Sequence, residues 1–539
     1  MARTDSNSPS KAVAKRKRRL SIYSTPARLF WAVLGGSVAS LAWPTDGLWL
    51  AVFVALPLLW FSIRHLKFWP ALWVGLVGGF AFYCVQLPWL SIYLGPAPWL
   101  ALSLLEAIIF AIGMAMTAII WRHVERFGLI ASAAALATVW AAREWASTHV
   151  PYGGFPWSTL SQTQSESPLA KWVFWGGFEL LSFVVAFIAA VILLTVLRLA
   201  PNVKAWRTPA INLGLIALLF AVPLATNPPT GAEAGTFTFA AVQGNANAGL
   251  FSNVTPGGIL DKHVAATNGL TKLLKQRGSG AARPSVIIWP ENSADLSPLY
   301  DGVAAAKVRG VINKFKLPLI LGTYRFDDAN NVYNTSLYIA TNGVLKGKYD
   351  KQKPVPFAEY VPDRDFWYSL APDLIGLIKH GYSAGHTDGL YKVHNAKLGI
   401  EICFEIAIGE VSHSLVAHGA QVLVVQTNSA DFGHSAEMYQ QAAYAKLRAI
   451  ETGRALVGIS TVGVSAVYLP DGTVIDSLAE FKPGVMVQTV PLRTSQTPEY
   501  WLNSWLVALF NLGALLMFAL ALLVEARNKR SAKPLESTN

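Results

Sequence analysis

The chain has 539 residues, of which 53% are hydrophobic and only 14% charged. Soluble globular chains carry about a quarter charged residues, so the composition excludes an ordinary soluble protein and points to a membrane. The net charge of +12 does not require nucleic acid, because the basic clusters sit beside apolar runs; the 2 cysteines, one inside such a run, exclude a disulfide framework.

Residues Met1 to about Arg28 are polar and basic, with the run Lys15 to Arg19. No small-residue cleavage site follows a short apolar core, so a solvated cytoplasmic tail is expected rather than a removable signal peptide. Apolar runs of spanning length follow near Leu29–Trp43, Leu48–Ile63, Trp69–Leu94, Trp99–Trp121, Gly128–Ser147, Trp172–Leu197 and Pro209–Ala225, with an eighth near Trp501–Glu525. The first two, separated by Pro44-Thr45-Asp46-Gly47, read as a helical hairpin. Abundant tryptophan, 19 residues, suits rings at lipid–water boundaries.

The connecting charges support this parse. Arg64, His65 and Lys67 follow the second run, and Arg122, His123 and Arg126 the fourth. Arg198, Lys204 and Arg207 follow the sixth, and Arg527, Lys529, Arg530 and Lys533 the eighth. Every second connection is basic, as the positive-inside rule demands. Both termini are therefore expected in the cytoplasm, and the long segment before the last run outside it. The expected organisation is a tail (1–28), seven spans (29–228), an extracytoplasmic domain (231–497), an eighth span (498–525) and a second tail (526–539).

Glu106, Arg143, Glu144 and Glu179 fall inside the apolar runs, where charges pair with one another or face a cavity. Tyr152-Gly153-Gly154-Phe155-Pro156-Trp157 reads as a stiff, shaped turn on the same side as the large segment. Interfacial anchoring by Phe155 and Trp157 is the plainer alternative.

From about Gly231 to Thr497 the apolar runs shorten to strand length and alternate with helical patterns, which predicts an α/β domain. Expected strands are Phe237–Gln243, Ser285–Trp289, Leu317–Gly322, Tyr333–Ile339, Lys397–Ile402, Val422–Thr427, Ala455–Ser460 and Ser465–Leu469. Expected helices are Leu260–Arg277, Val303–Phe315, Glu410–Ala417 and Ala436–Glu451.

Three strand exits, where α/β folds build their sites, carry polar chemistry. One ends Trp289-Pro290-Glu291, one ends at Cys403, and one runs into Asn428-Ser429. Lys351 and Glu359 share the proline-rich loop Tyr349 to Pro362. A thiol with an ordinary pKa of about 8.5 is mostly protonated at neutral pH. Glu291 is placed to take its proton, and Lys351 to stabilise the thiolate and then an oxyanion. Singly, a lone cysteine is as well read as a core residue, and Glu or Lys as solvated surface.

Together these pieces resemble the apolipoprotein N-acyltransferases, membrane members of the nitrilase superfamily. The matching residues are Val242-Gln243-Gly244-Asn245, Trp289-Pro290-Glu291, Tyr349 to Pro362, Glu401-Ile402-Cys403-Phe404-Glu405, Arg448 to Arg454, and Gly154-Phe155-Pro156-Trp157. The resemblance implies a polytopic α-helical membrane bundle of about eight spans with an inserted α/β nitrilase-like α-β-β-α sandwich. It implies a triad of Glu291 (general base), Lys351 (oxyanion and thiolate stabilisation) and Cys403 (nucleophile). Glu359 and Glu405 would support the site, and Phe404, Asn334, Trp157 and Trp367 are placed among the supporting or substrate-binding residues. The implied reaction moves an acyl chain from a phospholipid, through a Cys403 thioester, to the amine of a diacylglyceryl-cysteine on an apolipoprotein. The expected setting is the bacterial cytoplasmic (inner) membrane, with a monomer, no cofactor, no metal and no nucleic acid.

Two positions depart from the family pattern. Asp431 stands where many members carry Trp, and Phe404 where Tyr is usual. The apolar stretch Phe366 to Ile378 is expected to form a lid or to dip into the outer leaflet, against the alternative of a helix packed on the domain's own core. A membrane-tethered amidase using water, and a non-catalytic scaffold, are the competing functions.

Overall fold

A computed structural model describes residues 22–199, 207–249, 255–278, 280–378 and 381–531. The basic run Lys15 to Arg19, Lys204 and Lys533 lie outside them. The chain begins with helices α1 (Thr25–Ala39), α2 (Val52–Ile63), α3 (Phe68–Gln86), α4 (Leu90–Leu94), α5 (Pro96–Val124), α6 (Leu129–Ser147), α7 (Val173–Leu199) and α8 (Arg207–Ala225). Four stretches are long and apolar enough to cross a membrane: Phe68–Gln86, Pro96–Phe127, Pro168–Leu199 and Pro498–Ser531. Trp49–Ile63 and Pro209–Ala225 are shorter apolar helices.

The boundaries differ from expectation for local reasons. Arg28, expected in the tail, is buried one turn into α1, where it donates to the carbonyls of Tyr23, Ser62 and Arg64 at 3.0, 2.8 and 2.9 Å. The run Trp69–Leu94 breaks after Gln86, because Pro88 cannot continue the ladder of N–H donors. Helix α7 kinks at Gly176 and Gly177, whose dihedrals are not helical. Helices α1 and α3 pack closely because Gly36 lacks a side chain: a Cβ there would sit 2.5 Å from the Gly78 carbonyl oxygen. Small residues at such crossings let apolar helices gain dispersion contacts that lipid tails cannot replace.

The charged groups inside the apolar runs are paired. Ser147 donates to Glu106, and Arg143 reaches the Tyr83 hydroxyl at 2.8 Å and Glu144 at 3.4 Å. Glu144 also accepts from Trp140 and from the Leu160 amide, and Glu179 accepts from Asn503.

The second part of the chain opens with β1 (Thr236–Gln243), α9 (Gly258–Thr267), α10 (Gly269–Arg277), β2 (Ile287–Ile288), α11 (Gly302–Phe315), β3 (Leu319–Phe326), β4 (Val332–Ile339) and β5 (Leu345–Asp350). It continues through α12 (Arg364–Leu370), α13 (Pro372–Ile375), β6 (Leu390–Val393), β7 (Ala396–Ile402), α14 (Gly409–Ala417) and β8 (Val422–Thr427). It closes with α15 (Ala436–Thr452), β9 (Ala455–Ser460), β10 (Ser465–Tyr468), β11 (Val474–Leu478), β12 (Gly484–Pro491) and the long α16 (Pro498–Ser531).

Two six-stranded sheets result, ordered β12-β1-β2-β3-β4-β5 and β11-β10-β9-β8-β7-β6. Their facing sides share one core that includes Phe239, Ile288, Ile400 and Val457. Helices α9 and α11 cover the other side of the first sheet through Leu260, Val308 and Ile312. The layers are therefore helix, sheet, sheet, helix. The outermost layer, α14 and α15, does not face water. Leu415, Tyr444 and Ile450 belong to the same continuous apolar cluster as Trp60, Phe110 and Leu181 of the bundle.

The apolar stretch Phe366 to Ile378 folds as parts of α12 and α13. No residue of α12 is buried, and Phe366, Tyr368 and Leu370 face outward, so it is not packed on the domain's own core. Only Ile375 and Ile378 turn inward.

Candidate active site

Glu291, Lys351 and Cys403 lie just past the C-terminal ends of β2, β5 and β7. Three local features aim them at one point. After β2 the chain crosses Pro290 and turns at Asn292, whose φ is +49. Gly322 permits this, since a Cβ there would approach the Pro290 oxygen to 2.6 Å and the Glu291 Cα to 2.7 Å. On the β4–β5 ladder Thr335 pairs with Asp350, and the Lys351 amide donates to the Asn334 carbonyl at 2.9 Å. Asn334 and Lys351 are thus cross-strand neighbours with side chains on one face. After β7, Cys403 takes a left-handed conformation (φ +54) that few non-glycine residues adopt. Such conformations persist where surrounding contacts fix them.

Those contacts centre on Glu405. Its buried carboxyl accepts from the Ile402 amide at 2.8 Å, the Gln352 amide at 2.7 Å, the Lys353 amide at 3.1 Å and the Tyr349 hydroxyl at 2.9 Å. One side chain therefore ties the cysteine turn to the lysine loop.

Lys351 is almost wholly buried, with Nζ 2.7 Å from Glu359 Oε2 and 3.7 Å from Glu291 Oε1. Asn334 Nδ2 bridges the two carboxylates, donating to Glu291 at 2.7 Å and to Glu359 at 3.0 Å. The Val355 amide holds Glu359 from the other side at 2.8 Å. Gln441 Nε2 donates to Cys403 Sγ at 3.4 Å.

The electrostatics follow from this packing. Burial pushes the Glu291 carboxyl up to about 7, against the pull of Lys351. Burial disfavours the charge on Lys351, but Glu359 and Glu291 outweigh it and raise its pKa, so the ammonium is retained. Burial, reinforced by Glu291, raises the Cys403 thiol well above its ordinary value. Above about pH 7 the resting state is then a thiol beside a carboxylate and a fixed cation. That set can transfer a proton as the sulfur attacks a carbonyl and can hold the resulting oxyanion.

Trp157 and Phe404, expected near the site, meet there. Their rings stack at 6.2 Å and 7°, with Phe155 on Phe404 at 6.4 Å. Trp157 Nε1 donates to Gln440 of α15 at 2.7 Å, and Trp89 of the bundle shares that acceptor at 3.1 Å. Trp367 is not brought to the triad. It stands on Phe357 (5.3 Å) and donates to the Tyr152 hydroxyl at 3.3 Å, joining α12 to the glycine-rich loop. A cavity of about 820 Å³ lies between the bundle and the sheets, with Phe404, Tyr382, Glu144, Phe178 and Arg448 in its wall.

The family model described as carbon-nitrogen hydrolase matches residues 276–499, and that described as apolipoprotein N-acyltransferase N-terminal domain matches 35–191. An apolipoprotein N-acyltransferase of Mycolicibacterium smegmatis is 32% identical over 90% of this chain and 84% of its own length. The chain belongs to the apolipoprotein N-acyltransferases. The Azotobacter vinelandii family member is 30% identical over 88% of this chain and 92% of its own length. A mutant amidase of the nitrilase superfamily from Nesterenkonia AN1, a solved structure, is 17% identical with a TM-score of 0.37, over 49% of this chain and 92% of that one.

The other motif residues of this N-acyltransferase brace the site. Gln243 Nε2 donates to the Ala479 and Lys482 carbonyls, while Ser465 donates to its Oε1 at 2.6 Å. Arg454 donates to the Ala420 carbonyl at 2.8 Å and to the Ser495 carbonyl at 2.7 Å. Arg448 pairs with Glu451 and lies 4.4 Å from the centre of the Phe178 ring.

No metal-ligand cluster was evident among the histidines in the sequence, yet His413, Glu451 and Glu499 converge from α14, α15 and the start of α16. His413 Nε2 is 3.2 Å from Glu499 and 3.5 Å from Glu451. Burial works against its charge, but the two carboxylates dominate and raise it to about 10. With Arg448 also on Glu451, two cations already neutralise the two acids, and the group reads as an ion-pair tie between layers. Sequence reading also missed Gln441 and Glu437. Their i, i+4 spacing on α15 was the available signal, but nothing in the sequence showed that this face meets the thiol.

Proposed function

We propose that this enzyme moves a fatty acyl chain from a membrane phospholipid to the N-terminal amine of the diacylglyceryl-cysteine of apolipoproteins, by way of a thioester on Cys403. The convergence of Glu291, Lys351 and Cys403 in a chain of this family is the observation that carries the reading. Glu291 takes the thiol proton as sulfur attacks the ester carbonyl, and Lys351 faces the charge that develops on oxygen. The same proton then passes to the departing alkoxide, which leaves as a lysophospholipid. The amine then attacks the thioester, a better electrophile than the ester it replaced. Glu359 and Asn334 hold Lys351 and Glu291 in register, and Glu405 orients the cysteine turn.

The cavity beside Phe404 supports access from the bilayer. Four helices long and apolar enough to cross a membrane, with shorter apolar helices beside them, support a multi-span bundle, and the alternating basic connections support both termini in the cytoplasm and an extracytoplasmic catalytic domain in the inner membrane. Trp501, Trp505, Leu512, Leu516 and Leu523 are exposed along α16, which suits a lipid-facing span. One chain carries all three reacting groups, so a monomer suffices. Water as final acceptor is the less favoured alternative, since the relatives are named as acyltransferases.

Incubation of the purified protein with phospholipid vesicles should add one acyl mass, mapping by mass spectrometry to Cys403 and absent from Cys403→Ala. The sign of the pH effect follows from Glu291. Protonation removes the base, so acyl-enzyme formation should fall as pH drops below about 7 and level off above it. A rate that rises on acidification, or an adduct on another residue, would refute the assignment.

The outward apolar face of α12 and α13 supports a lid that meets the acyl donor. Joint replacement of the outward Phe366 and Leu370 by Asp should raise the KM for phospholipid by at least about 10-fold, the loss of burying one large apolar side chain. The unfolding midpoint should stay close to wild type. Equal damage to folding and to phospholipid use would count against a lid.

A further inference from the structure

Glu437 is buried (3% exposed) in the first turn of α15, and its Oε2 has no hydrogen-bond partner among the described residues. Gln441, whose amide donates to the Cys403 sulfur, lies four residues on. Residues i and i+4 share one face of a helix, with Cβ atoms about 5–6 Å apart. Glu437 therefore lies on the helix face turned toward the nucleophile, near enough for its charge to act on the Cys403 thiol. Ser429, at the exit of β8, supports the carboxyl with a hydrogen bond. Burying an acid with an open oxygen is costly unless something fills it.

The proton inventory of the reaction leaves a place for such a group. In the acylation half, one proton passes from Cys403 through Glu291 to the alkoxide, and Glu291 ends as a carboxylate. In the second half the acceptor arrives as an ammonium, because α-amines titrate at about 7.7–8.0. It must lose one proton before its nitrogen can attack and a second as the amide forms. Glu291 can relay only one of these to the departing thiolate. Lys351 is held protonated, and Gln441 has no basic site.

We propose that the Glu437 carboxylate binds the acceptor ammonium and removes its first proton, making it the base of the amine half-reaction. This rests on the function proposed above. The neutral nitrogen then attacks the thioester carbon, the N–C bond forms, and the C–S bond breaks with its electron pair on sulfur. The second amine proton passes through Glu291 to Cys403, and the first leaves Glu437 for solvent. Burial raises the Glu437 carboxyl to about 8, close to an α-amine, so the transfer is nearly balanced.

The test uses full-length protein in phospholipid nanodiscs, acylated on Cys403 and then mixed with one of two nucleophiles. One is a synthetic diacylglyceryl-cysteinyl peptide, which arrives as an ammonium; the other is hydroxylamine, which is neutral near pH 7. In Glu437→Gln, transfer to the peptide should slow about 10²-fold, the lower end for losing a general base. Deacylation by hydroxylamine should slow far less, and Glu437→Asp should recover part of the peptide rate. Equal slowing with both nucleophiles would mark a structural role and overturn the proposal, as would an unchanged peptide rate. Wild-type protein that acylates but never forms the amide would sink the function above, and this proposal with it.

Discussion

Lys351→Met is expected to lower acylation of Cys403 by about 10³-fold or more. An oxyanion donor is worth about 10²–10³ in rate, and this cation also keeps the base ionised. Lys351 is the only cation within reach of the paired carboxylates Glu291 and Glu359 among the described contacts, at 3.7 and 2.7 Å. Without it, two buried acids joined by Asn334 face each other, and one takes up a proton. The variant should therefore lose stability as well, by about 3–5 kcal/mol for an uncompensated buried charge.

The sign with pH is fixed. Carboxyls raised further in the folded variant make it bind more protons than the unfolded chain, so its deficit should grow as pH rises from 5 to 8. Adding Glu359→Gln should restore much of the stability and none of the activity. Denaturation in mild detergent at the two pH values, beside a mass-spectrometric acylation assay, reads both effects. A deficit that shrinks as pH rises would contradict this account of Lys351.

Arg448→Met should produce the largest structural loss away from the triad. The guanidinium is buried, pairs with Glu451, donates to the Ile406 carbonyl at 3.3 and 3.4 Å, and lies over Phe178. It therefore fastens the turn behind Cys403 to α15 and to the bundle. Methionine fills much of the volume but leaves Glu451 with His413 alone. A cost of about 3–5 kcal/mol is expected, or a fall on the order of 10 °C in the apparent Tm. Arg448→Lys keeps the charge but loses the planar fork, and should fall between the two. A Tm within 2 °C (roughly 1 kcal/mol or less) of wild type for the methionine variant would show that the pair adds nothing net.

The parts of the fold that were legible in the sequence share a cause, and so do the parts that were not. Long apolar runs marked the bundle helices, and interior strands such as β8 and β9 were found end to end because both faces are buried. The four strands that escaped notice, β5, β6, β11 and β12, are the four sheet edges. Three of these edges are blunted with charge: β5 carries Lys346 and Lys348, β6 carries Lys392, and β11 carries Asp476, whereas β12 carries none. In those three, charge dilutes the apolar pattern by which strands are recognised. Ser285–Trp289 shrank to Ile287–Ile288 because Pro284 and Pro290 flank it and offer no N–H.

Glu291 and Cys403 were readable because each follows a recognised strand, whereas Lys351 was read from its proline-rich loop, the strand before it having gone unread. Gln441, Glu437 and the His413 tie sit on helices whose facing partners only the tertiary arrangement supplies.

The merging of α14 and α15 with the bundle core has a consequence for how this enzyme can be handled. A fragment cut free of the membrane helices would present that apolar layer to water and clump. The helical bundle is thus also the cover of the sandwich's outer layer, and neither part can be taken away without baring the other.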